Sequence, residues 1–90
     1  MPPVEKTEGV VDTSMPQEPT YGQKAVGLTF NPSGDERVQK AKELYAQIID
    51  LCFEGRNGAE NPEAMRLFSI AITEAQAAQM WAVKAITWKN

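Results

Sequence analysis

The last third of the chain is apolar over nearly its whole length, and the polar positions that line up fall on one narrow stripe. Residues 64–88 contain no glycine or proline. The residues of this stripe recur at helical spacing and are Arg66, Ser69, Thr73, Gln76, Lys84 and Thr87. Asn61 is a favourable N-cap, and Pro62 suits the first helical position. A helix that is apolar on most of its surface must be covered on several sides. The pattern therefore predicts a long helix with more than one packing neighbour.

A shorter helix is predicted upstream from a stripe of apolar residues at steps of three and four. The stripe consists of Val38, Ala41, Tyr45, Ile48 and Cys52, and Leu44, Ile49 and Leu51 widen it. Ser33 and Glu36 have the spacing of a capping box, which predicts that the helix begins between them. We expect it to end near Phe53, because residues 54–60 contain two glycines and an asparagine, as is typical of a connection between helices.

The two predicted helices differ in length. At 1.5 Å per residue they would span roughly 27 Å and roughly 40 Å, so the shorter helix covers only part of the longer one. A soluble monomer rarely exposes a large apolar patch. The residues predicted to stay partly uncovered are Leu67, Phe68, Ile70, Ile72, Trp81, Val83, Ile86 and Trp88. The predicted fold class is all-α: a helical hairpin that assembles with copies of itself into an oligomeric helical bundle.

Residues 1–20 differ in composition from the rest of the chain. They contain four of the six prolines and no helical or strand periodicity, which predicts a disordered tail before a hairpin domain at residues 21–90. Residues 21–35 form a glycine-punctuated apolar segment that ends in a turn. The tail has four acidic residues and one lysine, so it accounts for the whole net charge of −3. The hairpin is balanced in charge, and we do not expect it to bind DNA or RNA polymers.

Composition also argues against several kinds of site. The chain has no histidine and one cysteine, Cys52. An intrachain disulfide is therefore impossible, and we expect no catalytic set, no metal site and no cofactor. No apolar run reaches the roughly 18–20 residues of a membrane span, and the N-terminus lacks the pattern of a signal peptide. We expect a soluble, cytoplasmic protein that does not enter membranes.

The residues just before the shorter helix are the main candidates for a ligand site. They are Phe30, Asn31, Pro32 and Ser33. A helix N-terminus favours an anion, because its free N–H groups and its dipole both attract negative charge. An aromatic ring can stack on a nucleotide base, and Lys42 lies two turns into the helix, within reach of a phosphate. The alternatives are structural: Phe30 buried in the core and Lys42 as a solvated surface charge.

A second candidate group lies on the polar stripe of the long helix. Its members are Arg66, Ser69 and Thr73. If the stripe lined a seam between subunits, these side chains would offer hydrogen-bond donors to a second anionic ligand. The alternative is that the stripe is the solvated face of the helix.

Three segments resemble the phage anti-CBASS protein 2 family, whose helical-hairpin domain is shared with certain anti-Thoeris proteins. They are residues 22–34 (GQKAVGLTFNPSG), 70–76 (IAITEAQ) and 78–88 (AQMWAVKAITW). The resemblance implies small helical proteins that assemble as compact oligomers, often hexamers. It implies that they sequester the cyclic oligonucleotide second messengers of bacterial immune enzymes without cleaving them. Cyclic dinucleotides would occupy pockets between protomers, and cyclic trinucleotides would occupy separate sites around a symmetry axis.

The resemblance also implies roles for individual residues. Phe30 would stack on a base, Asn31 would make a polar contact and Lys42 would meet a phosphate. Arg66 and Thr73 would belong to the trinucleotide site. Other members carry tyrosine at the position of Phe30, so this chain keeps the ring and lacks the hydroxyl. The resulting hypothesis is a phage sponge for cyclic nucleotides in the host bacterial cytoplasm. The alternatives are a helical adaptor that grips another protein and, more remotely, an enzyme that degrades cyclic nucleotides.

Overall fold

A computed structural model describes residues 18–89, which form three helices and no strand. They are α1 (Tyr21–Val26), α2 (Glu36–Gly58) and α3 (Pro62–Ile86). The helices α2 and α3 form an antiparallel hairpin, since Arg37 at the start of α2 reaches the carbonyl of Ile86 at the end of α3. The all-α hairpin predicted from the sequence is confirmed. Of the tail predicted at residues 1–20, residues 1–17 lie outside the part of the chain that the structure describes.

The beginning of α3 matches its sequence signals. The side chain of Asn61 accepts hydrogen bonds from the backbone N–H groups of Glu63 (2.7 Å) and Ala64 (3.3 Å). Pro62 occupies the first helical position, where its missing N–H leaves no hydrogen bond unmade. The helix ends at Ile86, two residues before the end of the run predicted from the sequence.

The predicted beginning of α2 is wrong in its cap. Asp35, and not Ser33, is the N-cap, and its carboxylate accepts the backbone N–H of Arg37 at 2.8 Å. Gly34 lies between the two residues in a left-handed conformation (φ +68°). This glycine turns the chain away from the helix axis, so the Ser33 hydroxyl instead accepts the N–H of Asp35 at 3.0 Å.

The predicted end of α2 is also wrong. The helix continues through both glycines of the expected connection and ends at Gly58. Gly55 lies under the ring of Phe68 from α3, and a Cβ at this glycine would be 2.7 Å from Phe68 Cε1. Close packing of the two helices thus offsets the low helix propensity of glycine. With 23 and 25 residues, α2 and α3 are nearly equal in length, so unequal length is not why apolar surface remains uncovered.

The buried face of α2 differs from the predicted stripe. The buried positions are Val38, Lys42, Ala46 and Ile49. Val38 belonged to the predicted stripe and Ile49 to the residues predicted to widen it, whereas Lys42 and Ala46 belonged to neither. Ile48, predicted to be inside, is 48% exposed. Ile72, predicted to be partly uncovered, is buried in the core with Val26, Ala46 and Ile49. The face is turned by about one residue, roughly 100°, because α2 packs against α1 as well as α3.

Helix α1 was not predicted, although its caps are visible in the sequence. Thr20 and Gln23 form a capping box: the Thr20 hydroxyl accepts the N–H of Gln23, and the Gln23 side chain accepts the N–H of Thr20. Gly27 ends the helix in a left-handed conformation (φ +62°). Gly22 lies against α2, where its N–H donates to Asp50 Oδ1 at 2.7 Å. This helix gives α2 its second packing partner.

A large apolar surface remains exposed on the single chain. The most exposed large apolar side chains are Phe30, Leu51, Met80, Trp81 and Trp88. Leu67 and Ile70 are exposed as predicted, whereas Phe68, Val83 and Ile86 are half-buried. None of the helices in residues 18–89 has the length and hydropathy that a membrane crossing requires.

The crossing of α1 over α2 should depend on the absence of a side chain at Gly22. A Cβ there would overlap the carbonyl oxygen of Ala46 and lie 2.9 Å from Asp50 Oδ1. We expect Gly22→Ala to lower the free energy of unfolding by about 1–3 kcal/mol, measured by urea denaturation followed by circular dichroism. Gly58→Ala is the matched control, because that helical position has open space around it. It should be neutral or slightly stabilising. Equal stability of the two variants would contradict the observed crossing.

Candidate ligand pocket at the loop between the first two helices

The five residues that the sequence proposed for a dinucleotide site lie together in one concave pocket. The pocket forms where the loop between α1 and α2 lies beside the beginning of α2 and the end of α3. Its lining consists of Phe30, Asn31, Pro32, Ser33, Val38, Lys42, Val83 and Thr87. Its volume is about 270 Å³. Typical small-molecule pockets measure about 300–1,000 Å³, so this pocket lies just below the lower end of that range.

Lys42 is the buried cation of this pocket. Its side chain is buried, with 5% of the residue exposed, so it is not the solvated surface charge that was the structural alternative. Its ammonium donates to the backbone carbonyls of Gly27 (3.0 Å) and Phe30. Two of its three N–H groups are therefore used inside the chain, and one remains for a ligand.

Lys42 holds both ends of the turn that presents Phe30. The N–H of Phe30 donates to the carbonyl of Gly27 at 2.9 Å, and both residues give their carbonyls to Lys42. Phe30 is 70% exposed, which rules out its alternative role as a core residue within the single chain. Lys42 Nζ lies 5.5 Å from the ring centroid, within the range of a cation–π contact. The backbone of Phe30, which carries the exposed ring, is therefore held in place.

Asn31 and Ser33 shape the loop through bonds to each other and to Asp35. Asn31 Nδ2 donates to the carbonyl of Asp35 at 3.2 Å, and Asn31 Oδ1 accepts the hydroxyl of Ser33 at 2.7 Å. The Ser33 oxygen in turn accepts the N–H of Asp35. Because these side chains are already bonded within the loop, they pre-organise it and leave only lone pairs and the second amide N–H of Asn31 for a ligand.

The N-terminus of α2 is not the open anion site that the sequence suggested. The Asp35 carboxylate caps it and also holds the guanidinium of Arg37, at 2.9 Å. Hydrogen bonds from the Arg37 side chain and backbone lower the pKa of Asp35, and the same pair raises the pKa of Arg37. A carboxylate already occupies the positive end of this helix, so the cation that faces the pocket is Lys42.

The second candidate group lies in the first half of α3. Arg66 forms an ion pair with Glu63 at 2.6 Å, which lowers the pKa of Glu63 and raises that of Arg66. The hydroxyl of Thr73 donates to the carbonyl of Ser69 at 3.2 Å. The Phe30 pocket contacts α3 only near its end, at Val83. Ten residues of helix, about 15 Å, separate that position from Thr73, so the structure does not bring the two groups together.

Arg56 belongs to this second group and was missed in the sequence. It lies in the last turn of α2, in a stretch predicted to be a connection, and its Nη1 donates to Ser69 Oγ at 3.3 Å. Its guanidinium lies 5.3 Å from the centroid of the Phe53 ring. The signal for it was the helical spacing of Phe53 and Arg56, which becomes visible only if the helix continues past Gly55.

Residues 18–89 contain no cluster of three or more side chains that could hold a metal ion. Cys52 is half-buried and packs against the core, on the apolar face expected for it. The groups best suited to binding a ligand are therefore two pairs of an aromatic ring and a cation: Phe30 with Lys42, and Phe53 with Arg56. Such a combination suits a ligand with aromatic bases and phosphates.

A comparison with protein families identifies the chain. The family model described as "Acb2/Tad1, hairpin domain" matches residues 23–87, which include both candidate groups. The chain belongs to the Acb2/Tad1 hairpin-domain family. A search of curated proteins and a search of solved structures gave no match. Membership in the Acb2/Tad1 family indicates a phage anti-defence protein that binds cyclic nucleotides.

The turn that carries Phe30 should lose its rigidity when the Lys42 ammonium is removed. Lys42→Met keeps most of the buried stem and leaves the Phe30 carbonyl without its donor. We expect the free energy of unfolding to fall by about 1–3 kcal/mol. The Phe30 N–H should also exchange faster with solvent, as measured by hydrogen exchange with NMR detection.

Lys40→Met is the matched control for this substitution, because Lys40 is an exposed lysine on the same helix. It should change neither the stability nor the exchange rate at Phe30. Protection of the Phe30 N–H that is equal in both variants would show that Lys42 does not hold the turn.

Proposed function

We propose that the chain is a phage anti-immune sponge. It binds cyclic oligonucleotide second messengers in the host bacterial cytoplasm and sequesters them without cleavage, so that the effectors of CBASS immunity stay inactive. The observation that carries the proposal is the exposed Phe30 ring, held on a turn by the buried Lys42 ammonium within the family-matched hairpin. An aromatic ring can stack on any of the bases, and a cation attracts the adjacent phosphate.

In this site Phe30 stacks on a base and Pro32 adds apolar contact beside it. The remaining N–H of Lys42 donates to a phosphate oxygen. Asn31 and Ser33 keep the loop in the shape that the ligand fits, and Asn31 offers its second amide N–H. Because the loop is already bonded internally, little conformational entropy is lost when the ligand binds, and pre-organisation of this kind favours tight binding.

The pocket is completed by a second copy of the chain. One chain supplies a pocket of only about 270 Å³. The same helix that lines it with Val83 also exposes the apolar side chains of Met80 and Trp81. Burial of such surface between copies would remove it from water and raise a second wall around the ligand. We propose a homo-oligomer, and the family resemblance points to a hexamer.

The face formed by Arg66, Ser69 and Thr73 is proposed as a second, separate site that takes cyclic trinucleotides. Its distance along α3 from the Phe30 pocket supports two sites over one. Sequestration without cleavage is supported by the absence of histidine from the whole sequence, because histidine is the commonest general base in enzymes. Rigid, internally bonded loops also suit retention of a ligand more than turnover.

The sponge activity predicts that a bound ligand returns unchanged. The protein is incubated with a mixture of cyclic dinucleotides and cyclic trinucleotides, freed of unbound nucleotide by gel filtration and denatured by heat. Chromatography of the supernatant should recover intact cyclic nucleotides in a fixed ratio to protein. Linear products would identify an enzyme. Recovery of no nucleotide would favour the alternative, a helical adaptor that uses the exposed apolar surface of α3 to bind another protein.

The assignment of the first pocket predicts a specific effect of the Phe30 ring. Phe30→Ala should weaken binding of a cyclic dinucleotide by about 1–3 kcal/mol, the contribution of one stacked base, measured by isothermal titration calorimetry. Phe30→Tyr keeps the ring and should bind within a few-fold of the parent chain. Both variants should sediment as the parent oligomer. Unchanged affinity in Phe30→Ala would remove this pocket from the proposal.

A further inference from the structure

Arg56 differs from the other two arginines in having no carboxylate partner among residues 18–89. Arg37 is paired with Asp35, and Arg66 is paired with Glu63. No carboxylate in residues 18–89 forms an ion pair with Arg56, although its side chain is half-buried between α2 and α3. A charge that is partly shielded from water interacts more strongly with an anion than a fully solvated charge does. An unpaired guanidinium in this setting therefore has the capacity to hold an anion.

Two aromatic rings fix the position of this guanidinium. The Arg56 guanidinium lies over the Phe53 ring, with the carbon 5.3 Å from the centroid. Phe53 is itself stacked on Tyr21 of α1, with centroids 4.4 Å apart and planes only 9° from parallel. Such a stack restricts the rotamers of arginine and keeps its N–H groups directed to one side.

Hydrogen-bonding capacity remains at this position. Arg56 uses one of its five N–H groups, in the 3.3 Å bond to Ser69 Oγ. Ser69 accepts in that bond, so its own hydroxyl hydrogen is left to donate. Arg66, one turn earlier on α3, gives two of its N–H groups to Glu63, and that carboxylate offsets its charge. The uncompensated positive charge of this face is therefore that of Arg56.

We infer that Arg56 is a phosphate-binding residue of the face formed by Arg66, Ser69 and Thr73. Its planar fork and the Ser69 hydroxyl donate to the oxygens of one phosphodiester group, and Phe53 acts as a positioning residue through the guanidinium that it holds. The inference deepens the proposed function and rests on it, because the phosphodiester is that of a cyclic oligonucleotide. Arginine is suited to this task because its fork matches two phosphate oxygens at once.

A purely structural role for Arg56 leads to different expectations from a role in ligand binding. Arg56 lies in the last turn of α2, where a cation is favoured by the helix dipole. In that role lysine and arginine would be equivalent, and the loss of either would change stability without changing affinity. A binding role requires that the NMR signals of the guanidinium respond directly to the ligand. It also requires that arginine and lysine at this position differ in affinity for the ligand.

The test uses full-length protein and cyclic triadenylate as the probe, with affinity measured by isothermal titration calorimetry. Arg56→Gln should weaken binding about tenfold or more, the effect of losing a charge-assisted hydrogen bond, and Arg56→Lys should recover only part of that loss. Lys40→Gln removes an exposed charge from the same helix and should bind as the parent chain does. In the parent protein, the NMR signals of the Arg56 side-chain N–H groups should shift when the probe is added.

A double-mutant cycle tests the positioning role of Phe53. Phe53→Leu should weaken binding of the probe in the parent chain and have no further effect in Arg56→Gln, because it acts through the guanidinium. Equal affinity of Arg56→Gln and parent would overturn the inference while leaving the sponge proposal in place. Failure of the parent chain to bind the probe would instead remove the second site from the proposed function, and the assignment of Arg56 with it. Binding of a cyclic dinucleotide to the Phe30 pocket serves as the check that each variant is folded.

Discussion

The bond between the Lys42 ammonium and the turn from Gly27 to Phe30 is the interaction on which the rest of this molecule depends. It places a charge in a buried position, which is costly unless hydrogen bonds replace the lost water. Here two backbone carbonyls replace that water. The same carbonyls belong to the segment that links α1 to α2. One side chain therefore joins the short helix to the hairpin and keeps the exposed Phe30 ring at the edge of a pocket.

The core around this interaction is small. Its buried apolar residues are Val26, Val38, Ala46, Ile49 and Ile72. A short chain buries a smaller fraction of its surface than a long one, and such domains usually need metals, disulfides or partner subunits for stability. A single cysteine excludes an intrachain disulfide. Large apolar side chains such as Trp81 remain exposed on the single chain, so surface available for assembly and surface available for a ligand lie side by side on α3.

The two proposed sites use the same chemistry in different arrangements. In both, an aromatic ring lies next to a cation: Phe30 next to Lys42, and Phe53 next to Arg56. The exposed ring of Phe30 is available to a base, whereas Phe53 is already stacked on Tyr21. The first pair is thus suited to stacking on a ligand. The second is suited to holding a guanidinium for a phosphate.

The sequence by itself determined the fold class, the cap of α3 and the turn residues that line the first pocket. Local chemistry decided these features: Asn61 and Pro62 begin a helix wherever the chain places them, and Phe30 to Ser33 are neighbours in a single turn. It did not reveal the true cap of α2, because the left-handed Gly34 redirects the chain between Ser33 and Asp35.

Only the tertiary structure decided which face of α2 is buried and where that helix ends. Periodicity locates an apolar stripe, but a second packing neighbour changes which positions are buried. Helix α1 packs against α2 at Ala46, and both Ala46 and Lys42 are buried. Glycine disfavours the interior of a helix because its helix propensity is low. At Gly55 the ring of Phe68 packs into the space of the missing side chain, so the helix continues and carries Arg56 to Ser69. Contacts between residues distant in sequence produced that outcome, and no local pattern encodes them.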